Sequence, residues 1–161
     1  IYMSPKGRVF DEKIAHELAG YKDLVILCGH YEGIDERVIN EICDEEISIG
    51  DYVLTGGETA AIVIIDAVSR LVPGVLPNEE AYTNESHTDN LLEAPQYTKP
   101  PVWHDNEVPQ VLKNGNKAVI DDYNHTAALV QTLEKRPDML DSRTINEDEW
   151  QKILAFKKSL C

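Results

Sequence analysis

The sequence predicts an α/β fold with a parallel sheet, followed by a small helical region. Three observations lead to this fold class. Strand-like and helix-like segments alternate through the first half of the chain, one strand-like segment is a continuous apolar run, and two long helical patterns lie near the C-terminal end. Alternation of this kind is typical of parallel sheets, whose strands are joined by crossover helices. A chain of 161 residues is long enough for one domain and a smaller addition.

The first two elements are a short helix and an apolar strand. Residues 11–19 place apolar side chains at helical spacing, and Gly20 is a candidate C-cap. Residues 23–28 form a continuous apolar run that ends at Gly29. Such runs are typical of strands covered on both faces, so this segment is expected to be buried.

Two helices and a short strand complete the predicted sheet region. Residues 35–43 are predicted to form a helix capped by Asp35, and residues 46–49 a short strand. Residues 58–71 give the strongest helical pattern, which ends before Pro73-Gly74. That helix is apolar nearly all round, so it is expected to be buried.

The second half of the chain changes in character. Residues 77–90 are polar and are predicted to be a linker, whereas residues 91–109 contain several prolines and are expected to be ordered but irregular. Two helices, 116–135 and 147–158, are predicted on either side of a turn at residues 136–138. The predicted organisation is therefore a ligand-binding part (1–76), a linker (77–90) and a helical domain (91–161).

Composition narrows the classes of protein. Acidic residues outnumber basic ones by 29 to 15, a net charge of −14, which argues against generic nucleic-acid binding but allows a local basic patch. Cys28, Cys43 and Cys161 are too scattered for a disulfide framework or a zinc ribbon, so reduced thiols in a cytoplasmic protein are expected. The apolar run at 59–65 is too short to span a membrane. The start at Ile1, without a methionine, suggests further sequence upstream.

Three glycine-containing segments are candidates for a shared ligand site. They cover residues 2–7, 29–35 and 48–58, and each is predicted to be a turn that follows a strand. In open α/β sheets ligands bind beyond the carboxyl ends of strands, where such turns meet. None of the three matches the glycine patterns of dinucleotide or P-loop phosphate sites. Taken one at a time, each segment is better interpreted as a plain turn, and the signal is their shared position after strands.

Five longer segments carry a resemblance to a known family. They are YMSPKG (2–7), GHYEGIDERV (29–38), SIGDYVLTGGE (48–58), VSRLVPGVL (68–76) and LLEAPQYTKP (91–100). In this order and spacing they resemble the bacterial tRNA (guanine-N1)-methyltransferases of the TrmD type, which belong to the SPOUT class of knotted methyltransferases. The resemblance is continuous to about Pro109 and then weakens. It implies a parallel sheet with a deep C-terminal trefoil knot and a small helical C-terminal domain.

The resemblance also implies a cofactor, S-adenosylmethionine, held by the three turns. This cofactor has no phosphate, and its adenine can be recognised by main-chain groups if glycines allow close approach. Valine at Gly57 is accordingly expected to abolish binding. For Tyr52 and Leu54 core packing is the alternative. The residues matched to the pocket are Tyr2, Met3, Ser4, Pro5, Gly29, Tyr31, Glu32, Gly33, Ser48, Ile49, Gly50, Asp51, Tyr52, Val53, Leu54, Gly56 and Gly57.

Two catalytic residues follow from the same resemblance. Guanine N1 carries a proton, so a general base near N1 and a cation near O6 would help methyl transfer. Arg70 matches the family's arginine, and Glu85 stands where the family commonly has aspartate. The alternatives are a surface ion pair for Arg70 and a solvated linker carboxylate for Glu85. His87 and Asp89 are neighbouring candidates for the base.

Other charged groups have simpler interpretations. Asp35, Glu36 and Arg37 resemble a catalytic acid cluster, but a helix cap at Asp35 with Arg37 paired locally is the better interpretation. The five histidines lack metal-ligand spacing, so no structural metal is expected. Family members use Mg²⁺ during transfer, which the sequence does not localise.

The predicted partners are tRNA and a second copy of the chain. The resemblance implies methylation of guanosine 37 of tRNA by a homodimer in which each linker serves the other subunit's site. The C-terminal helix departs from the family: Asp121 and Asp122 add negative charge, and Tyr123 and Asn124 replace common Trp and Arg. Two alternatives therefore stay open, a cofactor-binding module with weakened tRNA engagement and a methyltransferase for another RNA.

Overall fold

The computed structural model describes residues 1–30, 33–77, 85–87, 89–141 and 143–159. They divide into two compact units, Ile1–Tyr82 and Thr83–Cys161, called the N-terminal and C-terminal units below. In chain order the elements of the N-terminal unit are β1 (Tyr2–Val9), α1 (Glu12–Ala19), β2 (Leu27–Cys28), α2 (Glu36–Ile42), β3 (Glu46–Ser48) and α3 (Glu58–Ser69).

A three-stranded parallel sheet organises the N-terminal unit. Its order is β2-β1-β3, so β1 is central and both neighbours run parallel to it. Tyr2 lies opposite Leu27 on one side and Glu46 on the other. Each connection between consecutive strands contains a helix, as parallel pairing requires. The predicted parallel α/β sheet is confirmed.

The segment at residues 2–7, predicted to be a turn, is part of strand β1. Its pairing with β3 is irregular, because Met3 and Arg8 both lie opposite Ile47. The intervening residues 4–7 therefore leave the regular ladder. A Cβ on Gly7 would collide with the main chain of Glu46, so the two strands come unusually close there. The prediction of a turn was wrong because the glycine serves this close packing of strands.

The apolar run at residues 23–28 forms a much shorter strand than predicted. Regular pairing covers Leu27 and Cys28 alone, and the upstream Val25 side chain is 81% exposed. Since β2 lies at the edge of the described sheet, no second neighbour pairs with it there. The prediction that this apolar run is buried on both faces was therefore wrong within this unit.

Helices α1 and α2 begin where their cap residues predict. The Asp11 carboxylate accepts the backbone N–H of Ile14 at 2.9 Å, and Gly20 follows the last turn of α1. The Asp35 carboxylate accepts the backbone N–H of Arg37 at 2.9 Å. These bonds satisfy donors that the first helical turn leaves without an intrahelical partner. The predicted N-cap at Asp35 is confirmed, and Asp11 caps α1 in the same way.

Helix α3 packs one face against the sheet and α1. Its buried side chains, Ala60, Ala61, Ile64 and Val68, recur at helical spacing and join Met3, Ile14, Leu18 and Ile47 in the core. The opposite face carries Ile62, Val63 and Ile65, all of which are exposed. The prediction that α3 is buried all round was therefore wrong within this unit, which leaves an apolar surface on one side.

The C-terminal unit is mainly helical, with a small hairpin that the sequence did not predict. Strands β4 (Val102–Trp103) and β5 (Asn106–Glu107) pair antiparallel within the region expected to be irregular. The later elements are a 3-10 helix (Gln110–Lys113), α4 (Lys117–Lys135), a second 3-10 helix (Pro137–Leu140) and α5 (Glu147–Ser159). Helices α4 and α5 confirm the two helices predicted there.

The core of the C-terminal unit joins α4 and α5 to the chain before the hairpin. Leu129 and Ile153 are almost wholly buried and pack with Leu91. The buried Thr132 hydroxyl donates to the Ala128 carbonyl at 2.7 Å and accepts the Leu92 N–H at 2.8 Å. This hydroxyl satisfies a main-chain donor and fixes the segment on α4.

Candidate functional site

A cleft of about 330 Å³ lies beyond the carboxyl ends of β2 and β3. Its volume falls in the lower part of the range of small-molecule sites. Three separate stretches of chain meet around it, from the β1 irregularity, from the segment after β2 and from the loop between β3 and α3. The sequence-predicted residues that line it are Tyr2, Met3, Ser4, Pro5, Gly29, Gly33, Ser48, Ile49, Gly50, Tyr52, Val53, Leu54, Gly56 and Gly57.

The remaining predicted pocket residues lie elsewhere. Asp51 is exposed and does not line the cleft, because the loop turns it outward between Gly50 and Tyr52. Tyr31 and Glu32 fall outside the described residues.

Sequence reasoning missed several lining residues. They are Lys6, Ile34, Glu36, Ile39, Ile47, Thr55 and Ala60. Lys6 and Glu36 stand inside two of the quoted segments, and Glu36 opens the helix after the second turn. Their position beside predicted pocket residues was the available signal. Ile39 and Ile47 are buried, and they line the cleft from the hydrophobic core.

The loop after β3 is shaped by Ser48 and Gly50. The Ser48 hydroxyl accepts the Gly50 N–H at 3.2 Å and donates to the Gly50 carbonyl at 3.1 Å. Gly50 has φ of +143°, a conformation that side chains rarely adopt. A Cβ there would lie 2.6 Å from the Tyr52 ring. Glycine is therefore required at position 50 so that Tyr52 can fold back over the loop.

Gly57 joins two of the predicted turns. Its N–H donates to the Gly29 carbonyl at 3.2 Å, which holds the start of α3 against the segment after β2. A Cβ on Gly57 would lie 3.1 Å from Cys28 Cα and 3.1 Å from Met3 Cβ. The close approach at Gly57 is thus to the protein's own sheet. This packing is one reason for glycine there, and the expected space for a ligand stays a prediction.

Charges at the cleft come from a small number of ion pairs. Lys6 Nζ lies 3.2 Å from Glu36 Oε2, and this hydrogen bond raises the pKa of Lys6. Nearby, His30 Nδ1 lies 3.3 Å from Glu58 Oε1 at the start of α3. Burial, followed by the Glu58 charge, raises the pKa of the Cys28 thiol. That thiol is accordingly a poor candidate for a nucleophile.

Arg70 stands at the far end of α3 from the cleft. It is the C-cap residue of α3 and is half-buried. At 1.5 Å per residue, its main chain lies about 20 Å from Gly57 at the other end of the helix. Arg70 does not line the cleft in its own unit.

Glu85 belongs to the C-terminal unit and lines a different cleft of about 640 Å³. This second cleft also exposes the carboxylates of Asp89 and Asp121 and the His125 ring. The chain turns sharply beside Glu85, where the His87 N–H donates to the Leu91 carbonyl at 2.8 Å. The structure thus places Glu85 and Asp89 together, whereas His87 is exposed and does not line this cleft.

Basic side chains of the C-terminal unit are engaged with carboxylates of the same unit. Lys152 Nζ lies 2.8 Å from Asp122 and 3.2 Å from Asp148, and these bonds raise its pKa. The other pairs are Lys113 with Glu107, Arg136 with Asp138, Arg143 with Glu149 and Lys157 with Glu134. These cations offer less charge to a phosphate backbone than their number suggests.

Glu149 is a carboxylate of this unit with several hydrogen-bond partners. It accepts the Asn146 N–H at 3.0 Å while its own N–H donates to the Asn146 side chain, which forms a capping box at the start of α5. Arg143 and His125 lie 2.8 and 3.2 Å from its other oxygen. Led by the Asn146 bond, these contacts lower the pKa of Glu149 to about 2.

Two further findings concern metals and membranes. Within the described ranges, no three His, Cys, Asp or Glu side chains come together as a metal site. The expected Mg²⁺ therefore stays a prediction. None of the helices in the described part of the chain has the length and apolarity needed to cross a membrane.

The fold and cleft define a class of protein: a parallel α/β domain with a candidate small-ligand cleft, lined by glycine-containing segments beyond its strands. Comparison with known families narrows this class. Residues 1–142 match the family of the tRNA (guanine-1)-methyltransferase TrmD. The chain belongs to this family, as its resemblance predicted.

Individual relatives support the same membership. A tRNA (guanine-N(1)-)-methyltransferase from Dehalococcoides mccartyi is 52% identical over 91% of this chain and 59% of its own length. Proteins of the same name from Ruminiclostridium cellulolyticum and Staphylococcus haemolyticus are 55% and 48% identical, over 88% and 99% of this chain and 60% and 65% of their own lengths. The chain thus spans about three fifths of the length of these relatives.

Proposed function

We propose that this chain forms the S-adenosylmethionine-binding and tRNA-contacting parts of a methyltransferase that acts on N1 of guanosine 37 in tRNA. The observation that carries this proposal is the convergence of three separate family-like segments on one cleft. The proposal includes the deep trefoil knot that the family resemblance implies.

The cleft suits a flat, uncharged ring better than a phosphate. Its walls combine apolar side chains, among them Ile39, Ile47 and Leu54, with main chain at Gly29 and Gly50. Exposed peptide groups can pair with the edge of an adenine while apolar side chains cover its faces. When bound, S-adenosylmethionine supplies a methyl group on a positively charged sulfur.

Two residues of the chain are assigned roles in the reaction. One accepts the N1 proton of the guanine, and the other stabilises the negative charge that develops on it. Methylation of N1 requires that the N1 proton leave, and we assign it to the Glu85 carboxylate acting as general base. Loss of this proton places negative charge on O6, and we assign its stabilisation to the Arg70 guanidinium, which can donate hydrogen bonds to it. Glutamate reaches further than the family's aspartate, so the base approaches N1 from a longer side chain.

A homodimer follows from the position of Arg70 if it acts in catalysis. About 15 Å of helix separates Arg70 from Ala60, the cleft-lining residue of α3 that is nearest to it in the chain, which is too far for direct contact with a guanine in that cleft. The exposed apolar face of α3, with Ile62, Val63 and Ile65, suits contact with a second copy. We propose that each cleft receives its arginine and its linker carboxylate through this association.

Two measurements test the proposed function. Calorimetry with the 161-residue chain should detect binding of S-adenosylmethionine, and tritium from the labelled cofactor should appear at N1 of a tRNA transcript. A transcript with adenosine at position 37 should take up no label. Binding without any label at N1 would contradict the proposed methyl transfer, and absence of binding would contradict the cofactor site.

A cofactor-binding module with weak tRNA engagement is the second candidate. The ion pairs of Lys113, Arg136, Lys152 and Lys157 favour it, because each occupies a cation that could otherwise contact phosphate. Affinity for tRNA that is strong and falls steeply with salt would exclude this candidate. A panel of transcripts would separate it from a methyltransferase for another RNA. Cytoplasmic location stays a prediction.

A further inference from the structure

The mouth of the N-terminal cleft carries two opposite charges in otherwise uncharged surroundings. Among the lining residues that the structure describes, Lys6 and Glu36 are the charged ones. They approach from different elements, Lys6 from the β1 irregularity and Glu36 from the first turn of α2. Their side chains are 68% and 58% exposed, so both are accessible from solvent.

The contact between the two side chains is inexpensive to open. Lys6 Nζ and Glu36 Oε2 lie 3.2 Å apart. Exposed pairs of this kind contribute little to stability, since water solvates both partners well when they separate. The pair therefore holds a positive and a negative group beside the cleft without fixing them to each other.

We propose that Lys6 and Glu36 form the subsite for the amino-acid end of S-adenosylmethionine. This inference rests on the proposed function, since it names the part of the cleft that receives one end of that cofactor. The methionine end carries one carboxylate and one ammonium group. The Lys6 ammonium donates to the ligand carboxylate, and the Glu36 carboxylate accepts from the ligand ammonium. Ligand binding thus exchanges one exposed ion pair for two charge-assisted contacts.

A tail-less ligand separates this subsite from the rest of the cleft. Calorimetry would compare S-adenosylmethionine with methylthioadenosine, which keeps the nucleoside and the sulfur but lacks the amino-acid end. Lys6→Gln and Glu36→Gln should each weaken binding of the complete cofactor about three- to tenfold and change methylthioadenosine binding less than about twofold. Lys13→Gln removes an exposed lysine on α1 outside the cleft and should leave both affinities unchanged.

A charge swap distinguishes recognition from a structural role. Lys6→Glu combined with Glu36→Lys keeps an ion pair at the mouth. If each charge contacts its own end group of the ligand from its present position, the swapped chain should bind the complete cofactor as weakly as the single variants do. Restored affinity in the swapped chain, or equally weakened binding of both ligands by the single variants, would overturn the inference. The pair would then have a structural role only. Unchanged affinity in the single variants would overturn it too. If the unaltered chain bound neither ligand, the proposed function itself would fail.

Discussion

The two units differ in where their charged side chains lie and in how these are paired. Residues 1–82 contain six basic and sixteen acidic residues, yet Lys6 and Glu36 are the charged side chains among the described residues of the cleft. Residues 83–161 contain nine basic and thirteen acidic residues, and five of those cations pair with acids of the same unit. The N-terminal unit thus offers main chain and shape to a ligand, whereas the C-terminal unit uses much of its positive charge internally.

The first prediction tests whether the two cores are independent. Ile64 and Leu129 are both fully buried, one in each unit. Alanine at either site should cost about 2–5 kcal/mol of unfolding free energy through lost burial and a cavity. Denaturation measures these two costs, and calorimetry measures the binding of S-adenosylmethionine. Of the two variants, only Ile64→Ala should weaken that binding. Equal loss of binding in Leu129→Ala would show that the cleft depends on the C-terminal core.

The second prediction concerns Gly57 and the start of α3. Gly57→Val should destabilise the N-terminal unit by about 1–3 kcal/mol, because the new side chain overpacks against Cys28 and Met3. Urea denaturation measures this cost. Gly20→Ala, at the end of α1, is the matched control and should have a much smaller effect. Lost cofactor binding at unchanged stability would restore the original interpretation of Gly57 as a ligand contact.

The third prediction uses the lowered pKa of Glu149. A carboxylate whose pKa is lower in the folded state contributes stability above its unfolded pKa, and that stability is lost as the pH falls. Glu149→Gln should therefore cost about 1–2 kcal/mol at pH 7, since charged hydrogen bonds are lost. The cost should shrink between pH 4.5, the ordinary value for Glu, and about pH 2.

Urea denaturation across this pH range provides the measurement for Glu149. Glu147→Gln removes an exposed charge from the same helical turn and should show little change with pH. A cost that stayed constant from pH 7 to pH 2 would contradict the assigned role of the Glu149 charge.

The smallest predicted effect concerns Lys152 and tests whether ion pairs reduce the positive charge that the C-terminal unit offers to tRNA. Asp122→Asn removes one of the two carboxylates bound to Lys152. The lysine should then be more available to phosphate, so tRNA affinity should rise about twofold, with a slightly steeper dependence on salt. Filter binding at several salt concentrations measures both quantities. Asp141→Asn removes an exposed acid outside these pairs and is the control. If it raised tRNA affinity as much as Asp122→Asn does, net charge alone would explain the effect.

Local features were the most predictable from sequence. The caps at Asp11 and Asp35 need only neighbouring main chain, so their helices begin as expected. The hairpin was missed because its turn residues, His104 and Asp105, take positive φ without the usual glycine.

Features that depend on distant parts of the chain were predicted less well. Burial of α3 and of the apolar run before β2 requires neighbours that apolarity alone does not supply. The family resemblance located most of the cleft lining, because three of the five quoted segments contribute residues to the cleft. It did not indicate that Gly57 packs against the sheet.

The irregular pairing of β1 has a consequence for how the cleft could change over time. Met3 and Arg8 share Ile47 as a partner, so the residues between them do not set the alignment of the strands on either side. Insertions or deletions near Pro5 and Lys6 could therefore alter the rim while the buried alternation of the sheet stays in register. This short stretch gives the molecule a place where ligand preference can diverge and the fold is preserved.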